Sequence, residues 1–353
     1  MLIETSQEIL DANLRFAQIE ITGHCNFRCG HCRAKYLDKS NMHLEDIEKI
    51  FKFISDNKDI EFVLGISGGE PFLHPKLFDI LLLAKQYDLN RIIITTNGSL
   101  VTDEWLDKLN ALEISSLRIQ FSLDSCDENK HDEFRGAMGS FKMVLDLIKR
   151  IKNYANLSAT IRTTIMPDTF KEVEKITELV YNAGAIEVSF SFVKPVGEAK
   201  SKELVITSQQ RKELIERINF LNKVYLGKMI VTSSDPLQIL CKPIVKSEEK
   251  TKSGDKIILG GCMAGITTFN VNVNGEITPC SLMNAVICNI KECNNSDDIY
   301  NKYVNSEVVK NLADRKIGGK CGKCEFSNTC GGCRVMSECL NGDYLGEDYL
   351  CWK

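Results

Sequence analysis

Ile21-Thr22-Gly23-His24-Cys25-Asn26-Phe27-Arg28-Cys29-Gly30-His31-Cys32-Arg33-Ala34 follows on the apolar run Phe16-Ala17-Gln18-Ile19-Glu20-Ile21. The run reads as a strand, so three cysteines spaced C-x3-C-x2-C sit on the loop leaving its C-terminal end. Four-iron clusters are held by cysteine thiolates, ordinarily four of them. Three thiolates on one tight loop can bind three irons and leave the fourth open to a ligand that is not protein. A zinc site that borrows His24 or His31 is the alternative the loop alone leaves open.

Outward from this loop, strand and helix patterns alternate. Strands are expected at 62–67, 91–96, 116–123, 158–165 and 186–193, and helices near 44–54, 75–87, 103–112, 139–154, 169–182 and 208–224. Counting the run before the cysteines, that makes six parallel βα units, whose right-handed crossovers gather every post-strand loop at one edge. The fold class is α/β, an open partial (β/α)6 barrel; eight repeats for a closed barrel are not available.

Fifteen cysteines in 353 residues, with no export signal, argue for metal over disulfides. Three lie in the first loop, ten lie between Cys262 and Cys351, and Cys126 and Cys241 stand alone. The shift divides the chain into a barrel at 1–225, a linker or insertion at 226–260, and a small cysteine-rich domain at 261–353. A net charge of −4 gives no general attraction to nucleic acid. No apolar run is long enough to span a membrane. The expected setting is therefore cytoplasmic.

The loop resembles that of the radical S-adenosylmethionine (SAM) superfamily, and further motifs follow in that family's order. Ser67-Gly68-Gly69-Glu70-Pro71 closes the second strand, Thr96-Asn97-Gly98 the third, and Gln120-Phe121-Ser122-Leu123-Asp124 the fourth. Read without the resemblance, each is a turn or a helix cap. The resemblance implies that Cys25, Cys29 and Cys32 hold a [4Fe-4S] cluster whose open iron chelates SAM. Gly68, Gly69 and Glu70 would bind the SAM ammonium, Ser122 and Asp124 would lie near its ribose and carboxylate, Arg162 would pair with that carboxylate, and Asn97 would be a further SAM-binding position. His31 would pack on SAM, and Val193-Lys194-Pro195-Val196-Gly197 would flank the adenine.

The last third resembles the SPASM extension of such enzymes, which carries auxiliary iron–sulfur clusters. Its order is Cys262, then Gly275-x4-Cys280, then Cys321-x2-Cys324-x5-Cys330-x2-Cys333, then Cys351. The final spacing departs from the x3 of that pattern. The resemblance implies one or two auxiliary [4Fe-4S] clusters. Cys321, Cys324, Cys330 and Cys351 would hold one; Cys262, Cys280 and Cys333 would serve the other, its fourth position open or filled by Cys339 or Cys241. The rival is a zinc ribbon, although ribbons separate their Cys pairs by about 15–20 residues, and here the gap is five.

The function implied is reductive cleavage of SAM to a 5′-deoxyadenosyl radical and oxidative modification of a ribosomally made peptide by a thioether, carbon–carbon or other crosslink. Oxidation of a tetrapyrrole side chain in haem biosynthesis is the second class, because 319–351 also resembles those relatives. A non-catalytic iron–sulfur electron carrier is the third. Expected partners are the peptide or tetrapyrrole and an electron donor such as flavodoxin or ferredoxin. A separate leader-binding protein is a further partner, since the sequence does not show the small N-terminal leader-gripping domain of many peptide-modifying relatives. No residue stands out as a catalytic acid or radical relay.

Overall fold

The run before the cysteines is the nine-residue strand β1 (Leu14–Thr22) of a computed structural model that describes residues 1–6, 9–33, 38–200, 202–241, 249–250, 256–257 and 260–353. Parallel to it, in chain order, run β2 (Lys58–Gly68), β3 (Arg91–Thr96), β4 (Ser116–Ser122), β5 (Leu157–Ile165), β6 (Glu187–Phe192) and β7 (Ile230–Ser233). Between them lie α1 (Leu44–Asn57), α2 (Leu77–Gln86), α3 (Asp103–Ala111), α4 (Glu128–Arg135), α5 (Ser140–Ile151), α6 (Val173–Ala183) and α7 (Ser208–Val224). Six of these strands are the expected ones. Strand β7 and helix α4 were not expected. With four residues, one of them buried, β7 shows too little alternation to read. Helix α4, Glu-Asn-Lys-His-Asp-Glu-Phe-Arg, has no clear apolar stripe. Its signal lies in the caps: the Asp127 carboxylate accepts from the Lys130 N–H, and Gly136 ends the helix at φ 62°.

The last third does not stand apart from this sheet. Strand β8 (Thr268–Val271) pairs in parallel with β1, and β9 (Glu276–Thr278) and β10 (Cys288–Asn289) continue antiparallel beyond it. Among the described residues this makes one ten-stranded sheet, ordered β10-β9-β8-β1-β2-β3-β4-β5-β6-β7. Strand β7 falls inside the expected linker at 226–260, much of which (242–248, 251–255 and 258–259) lies outside the described residues. Helices α8 (Ser296–Asn305), α9 (Glu307–Ala313), α10 (Gly319–Gly322) and α11 (Arg334–Asn341) complete the chain. No helix among the described residues is long and apolar enough to cross a membrane.

Alternation sorts the two faces. Ala17, Ile19, Ile21, Leu64 and Ile66 are fully buried, as are Ile47, Ile50, Phe51, Phe53 and Ile54 of α1. The other face is polar: register sets Gln18 beside Gly65 and Asn270, Glu20 beside Ser67, Ser122 beside Arg162, and Arg162 beside Ser189. The inner face therefore offers hydrogen-bonding groups to a ligand.

The seam between β8 and the helices is aromatic. Phe269 lies 5.9 Å from Phe53 and 5.8 Å from Tyr303, ring centre to ring centre, and the Tyr303 hydroxyl donates to the Gly265 carbonyl at 3.2 Å. Phe269→Ala should destabilise the fold by about 3–5 kcal/mol, seen as a lower midpoint in chemical denaturation. A loss under about 1 kcal/mol would show that the seam does not hold β8 to the barrel.

Candidate functional site

Glycine and backbone hydrogen bonds shape the first cysteine loop. The Gly69 N–H donates to the Thr22 carbonyl and the Glu70 N–H to the His24 carbonyl, each at 2.7 Å. A Cβ on Gly68 would lie 2.2 Å from the Thr22 oxygen and one on Gly69 2.1 Å from the His24 oxygen, so only glycine allows this approach. Cys25, Cys29 and Cys32 are left half-exposed at the mouth, with no disulfide. From the far side, Gly197 packs against Cys32, whose carbonyl accepts the Glu198 N–H at 3.1 Å.

Glu70 is fully buried and its carboxylate is already engaged. It accepts from the Phe72 N–H at 3.1 Å, the Thr96 hydroxyl at 2.7 Å and the Asn97 N–H at 2.7 Å. The structure thus places it under the loops, binding β2 to β3. Asn97 carries the link onward: its amide donates to the Asn26 side-chain oxygen at 2.8 Å, which ties the post-β3 turn to the cysteine loop. Ser122 stands half-exposed on the inner face, next in register to Arg162.

Asp124 is also fully buried. It pairs with Arg135 Nη2 at 2.5 Å and accepts the Thr164 N–H at 2.8 Å. Burial opposes its charge, but the Arg135 guanidinium, with His31 and the Thr164 N–H, holds the carboxyl below its ordinary value. Arg135 in turn reaches Cys29 Sγ at 3.7 Å. Burial pushes the Cys29 thiol up and this cation pulls it back. His31 stacks flat on Phe134, 4.7 Å between ring centres, with its Nδ1 buried and unpartnered. Arg135 and Phe134 come from α4, so the sequence reading missed both; the Asp127 cap was the signal that could have found them.

In the last third the cysteines sort into two groups. Cys321, Cys324, Cys330 and Cys351 line one pocket with Phe326 and Gly332. Cys262 interacts electrostatically with both Cys280 and Cys333, and Cys339 with Cys280, which sets them in a second group. Cys288 and Cys293 are buried in the core against each other. Asp348 joins the two groups: its carboxylate accepts the Cys333 N–H at 2.8 Å, and its own N–H donates to Cys321 Sγ at 3.4 Å. Fully buried Arg211 on α7 holds Asp348 at 2.9 and 3.0 Å and Asp235 at 2.7 Å through two bonds.

Between the first loop and these groups lie three cations. Arg33 pairs with buried Glu20 at 2.6 Å and faces both Cys32 and Cys280. Arg162 is held by the hydroxyls of Ser189 at 3.2 Å and Ser234 at 2.8 Å; burial lowers its pKa, and Cys280 is the foremost negative group opposing that. Lys194, brought down to about 8 by burial, faces Cys333, Cys280 and Cys339. The segment expected to flank an adenine thus carries its lysine toward the last third.

These donor sets fit iron–sulfur clusters. Fifteen free cysteines are present. Among the described residues no three His, Cys, Asp or Glu side chains gather tightly enough for a single ion. A zinc ion draws its ligands onto one centre, whereas a cubane takes each thiolate at a separate iron. A pocket ringed by four thiols is the second arrangement. The buried, unpartnered Glu20 Oε2, Ser67 Oγ and Asn270 Oδ1, on the inner face of adjacent strands, are atoms that a bound polar molecule would satisfy.

The model of the Radical SAM superfamily matches residues 19–180. The chain is 29% identical over 346 residues to the AdoMet-dependent heme synthase of Methanosarcina barkeri, covering 94% of each. It is 26% identical to the antilisterial bacteriocin subtilosin biosynthesis protein AlbA of Bacillus subtilis, over 95% of this chain and 70% of that one. In fold it is similar to Streptococcus suis SuiB bound to S-adenosylmethionine, with a TM-score of 0.77 and 18% identity over 98% of this chain and 79% of SuiB.

Arg211→Met would strand two buried carboxylates and should destabilise by about 3–5 kcal/mol, measured by denaturation. Burial opposes the Asp235 charge, yet Arg211 holds its carboxyl below the ordinary 3.8. The wild-type pair therefore stabilises fully above about pH 4 and loses that contribution as pH falls through the lowered value. Equal stability of wild type and variant at pH 7 would remove Arg211 from this role.

Proposed function

We propose that this chain, an enzyme with a radical SAM domain, a SAM-binding [4Fe-4S] cluster and auxiliary-cluster cysteines, oxidises a carboxylate side chain of a tetrapyrrole. The observation that carries the reading is the match to the heme synthase, which spans the cysteine-rich third as well as the barrel. The inner-face cations agree with it: Arg162, Arg33 and Lys194 lie between the first cysteine loop and the last third, on the ground an acid substrate would occupy.

Cys25, Cys29 and Cys32 would hold the SAM-binding cluster, with Gly68 and Gly69 admitting SAM closely and Glu70 acting from beneath as a positioning residue. When bound, cluster and SAM supply a radical that takes one hydrogen atom. The rest falls to this chain. Arg162 and Lys194 hold the carboxylate, so that a hydrogen leaves the carbon beta to it; loss of CO2 then leaves a vinyl group and one surplus electron. That electron needs an acceptor, and auxiliary iron–sulfur clusters held by the cysteines of the last third, beyond Arg33 and Lys194, would take it. The same sink would serve a peptide that loses two hydrogens to form a crosslink. The match to AlbA over 95% of the chain favours that second reading.

Anaerobically reconstituted protein with SAM and a reductant should convert a propionate-bearing porphyrin to a vinyl product with CO2 released. Arg162→Met should raise KM for that acid at least about tenfold, roughly 1.4 kcal/mol of lost anchoring. If the porphyrin is untouched while a small peptide loses two hydrogens, the peptide reading replaces this one. Replacing Cys25, Cys29 and Cys32 together by Ala should abolish 5′-deoxyadenosine formation; undiminished SAM cleavage would end the assignment of that loop.

A further inference from the structure

We propose that Cys339 is the fourth protein ligand of the second auxiliary site, with Cys262, Cys280 and Cys333, so that this site is a closed four-iron cluster. The proposal rests on the cluster reading above and goes beyond it in choosing between an open site, Cys339 and Cys241.

Three placements carry it. Cys339 lies on α11, the helix that Cys333 opens as N-cap, and its thiol is near enough to Cys280 for the two to interact electrostatically. That helix is pinned: Glu338 accepts the Asn284 N–H at 2.9 Å, which binds α11 to the turn four residues beyond Cys280. The same three thiols, Cys280, Cys333 and Cys339, each interact electrostatically with the one ammonium of Lys194, which gathers them in one neighbourhood. A cation amid thiols is what a ligand set of net negative charge draws around itself. Cys241 sits elsewhere. It packs with Leu237, Phe326, Cys330, Cys351 and Trp352 beside the four-thiol pocket, a group that already has its four cysteines.

The chemistry balances simply. Each thiol gives up one proton as its sulfur bonds to one iron, and four such bonds leave no iron vacant. A closed cluster can take and pass an electron but cannot ligate a substrate. The second auxiliary site is then an electron relay, and substrate is held by the inner-face cations alone.

The test uses the full chain with Cys25, Cys29 and Cys32 replaced by Ala, reconstituted anaerobically with iron and sulfide. Iron and sulfide content and the electron paramagnetic resonance of the reduced protein are read with and without Cys339→Ala, Cys339→Ser and Cys241→Ala. The expected result is that Cys339→Ala alters or removes one of two cluster signals and lowers bound iron. Cys339→Ser, which offers an oxygen, keeps the iron with a shifted signal, and Cys241→Ala changes neither. Unchanged iron and spectra in Cys339→Ala, with normal iron in the background protein, would overturn the proposal alone; so would a change produced by Cys241→Ala instead. Background protein free of iron would overturn it together with the cluster reading.

Discussion

Two backbone hydrogen bonds, Gly69 N–H to the Thr22 carbonyl and Glu70 N–H to the His24 carbonyl, hold the cysteine loop to the turn after the neighbouring strand. Much else follows from them. They require glycine at 68 and 69, because a Cβ at either would strike the carbonyl being bonded. They also bring Glu70 beneath the loop, where its buried carboxylate collects donors from the turns after β2 and β3. A half-exposed loop with three thiols would otherwise wander. Here its ends are clamped by backbone, and Asn97 reaches over to Asn26 to clamp its middle.

Charge is handled along a second line. Thiols in a partly buried setting resist ionisation, and burial raises Cys25, Cys29, Cys280 and Cys333 alike. The chain answers with cations that come from somewhere else in the fold. Arg135 from α4 meets Cys29, Lys194 from the end of β6 meets Cys280 and Cys333, and Arg211 from α7 secures the aspartate that touches both groups of the last third. Each cation is itself secured by a carboxylate or an aromatic ring: Arg135 by Asp124, Arg211 by Asp235, Lys194 by Phe192 at 3.0 Å from the ring centre. The cysteines thus rest on a charge framework drawn from the barrel.

That framework also explains why the last third belongs to the barrel physically. Strand β8 hydrogen-bonds to β1, the strand that delivers the first cysteine loop, so Cys280, just past β9, and Cys32 face the same guanidinium of Arg33. On the proposed reading, that nearness sets an electron source and an electron sink by one inner face, as suits an oxidation in which the substrate loses more than one hydrogen atom carries away.

The sequence by itself determined the alternation of strand and helix, the cysteine loop and its place after a strand, and the crowding of cysteines into the last third. Those features are local: a period, a spacing, a glycine beside a carboxylate. What only the tertiary structure decided were the partners. No spacing announces that Glu70 accepts three hydrogen bonds from the turns around it, that Arg135 on a helix without an apolar stripe meets Cys29, or that Lys194 lies near thiols more than eighty residues later in the chain. Strand β8 joining β1 is equally silent in the sequence, because a four-residue parallel pairing leaves no mark on either strand beyond ordinary alternation. Contacts between distant segments are set by how the folded sheet brings them together, and a linear pattern records only each segment's own preference.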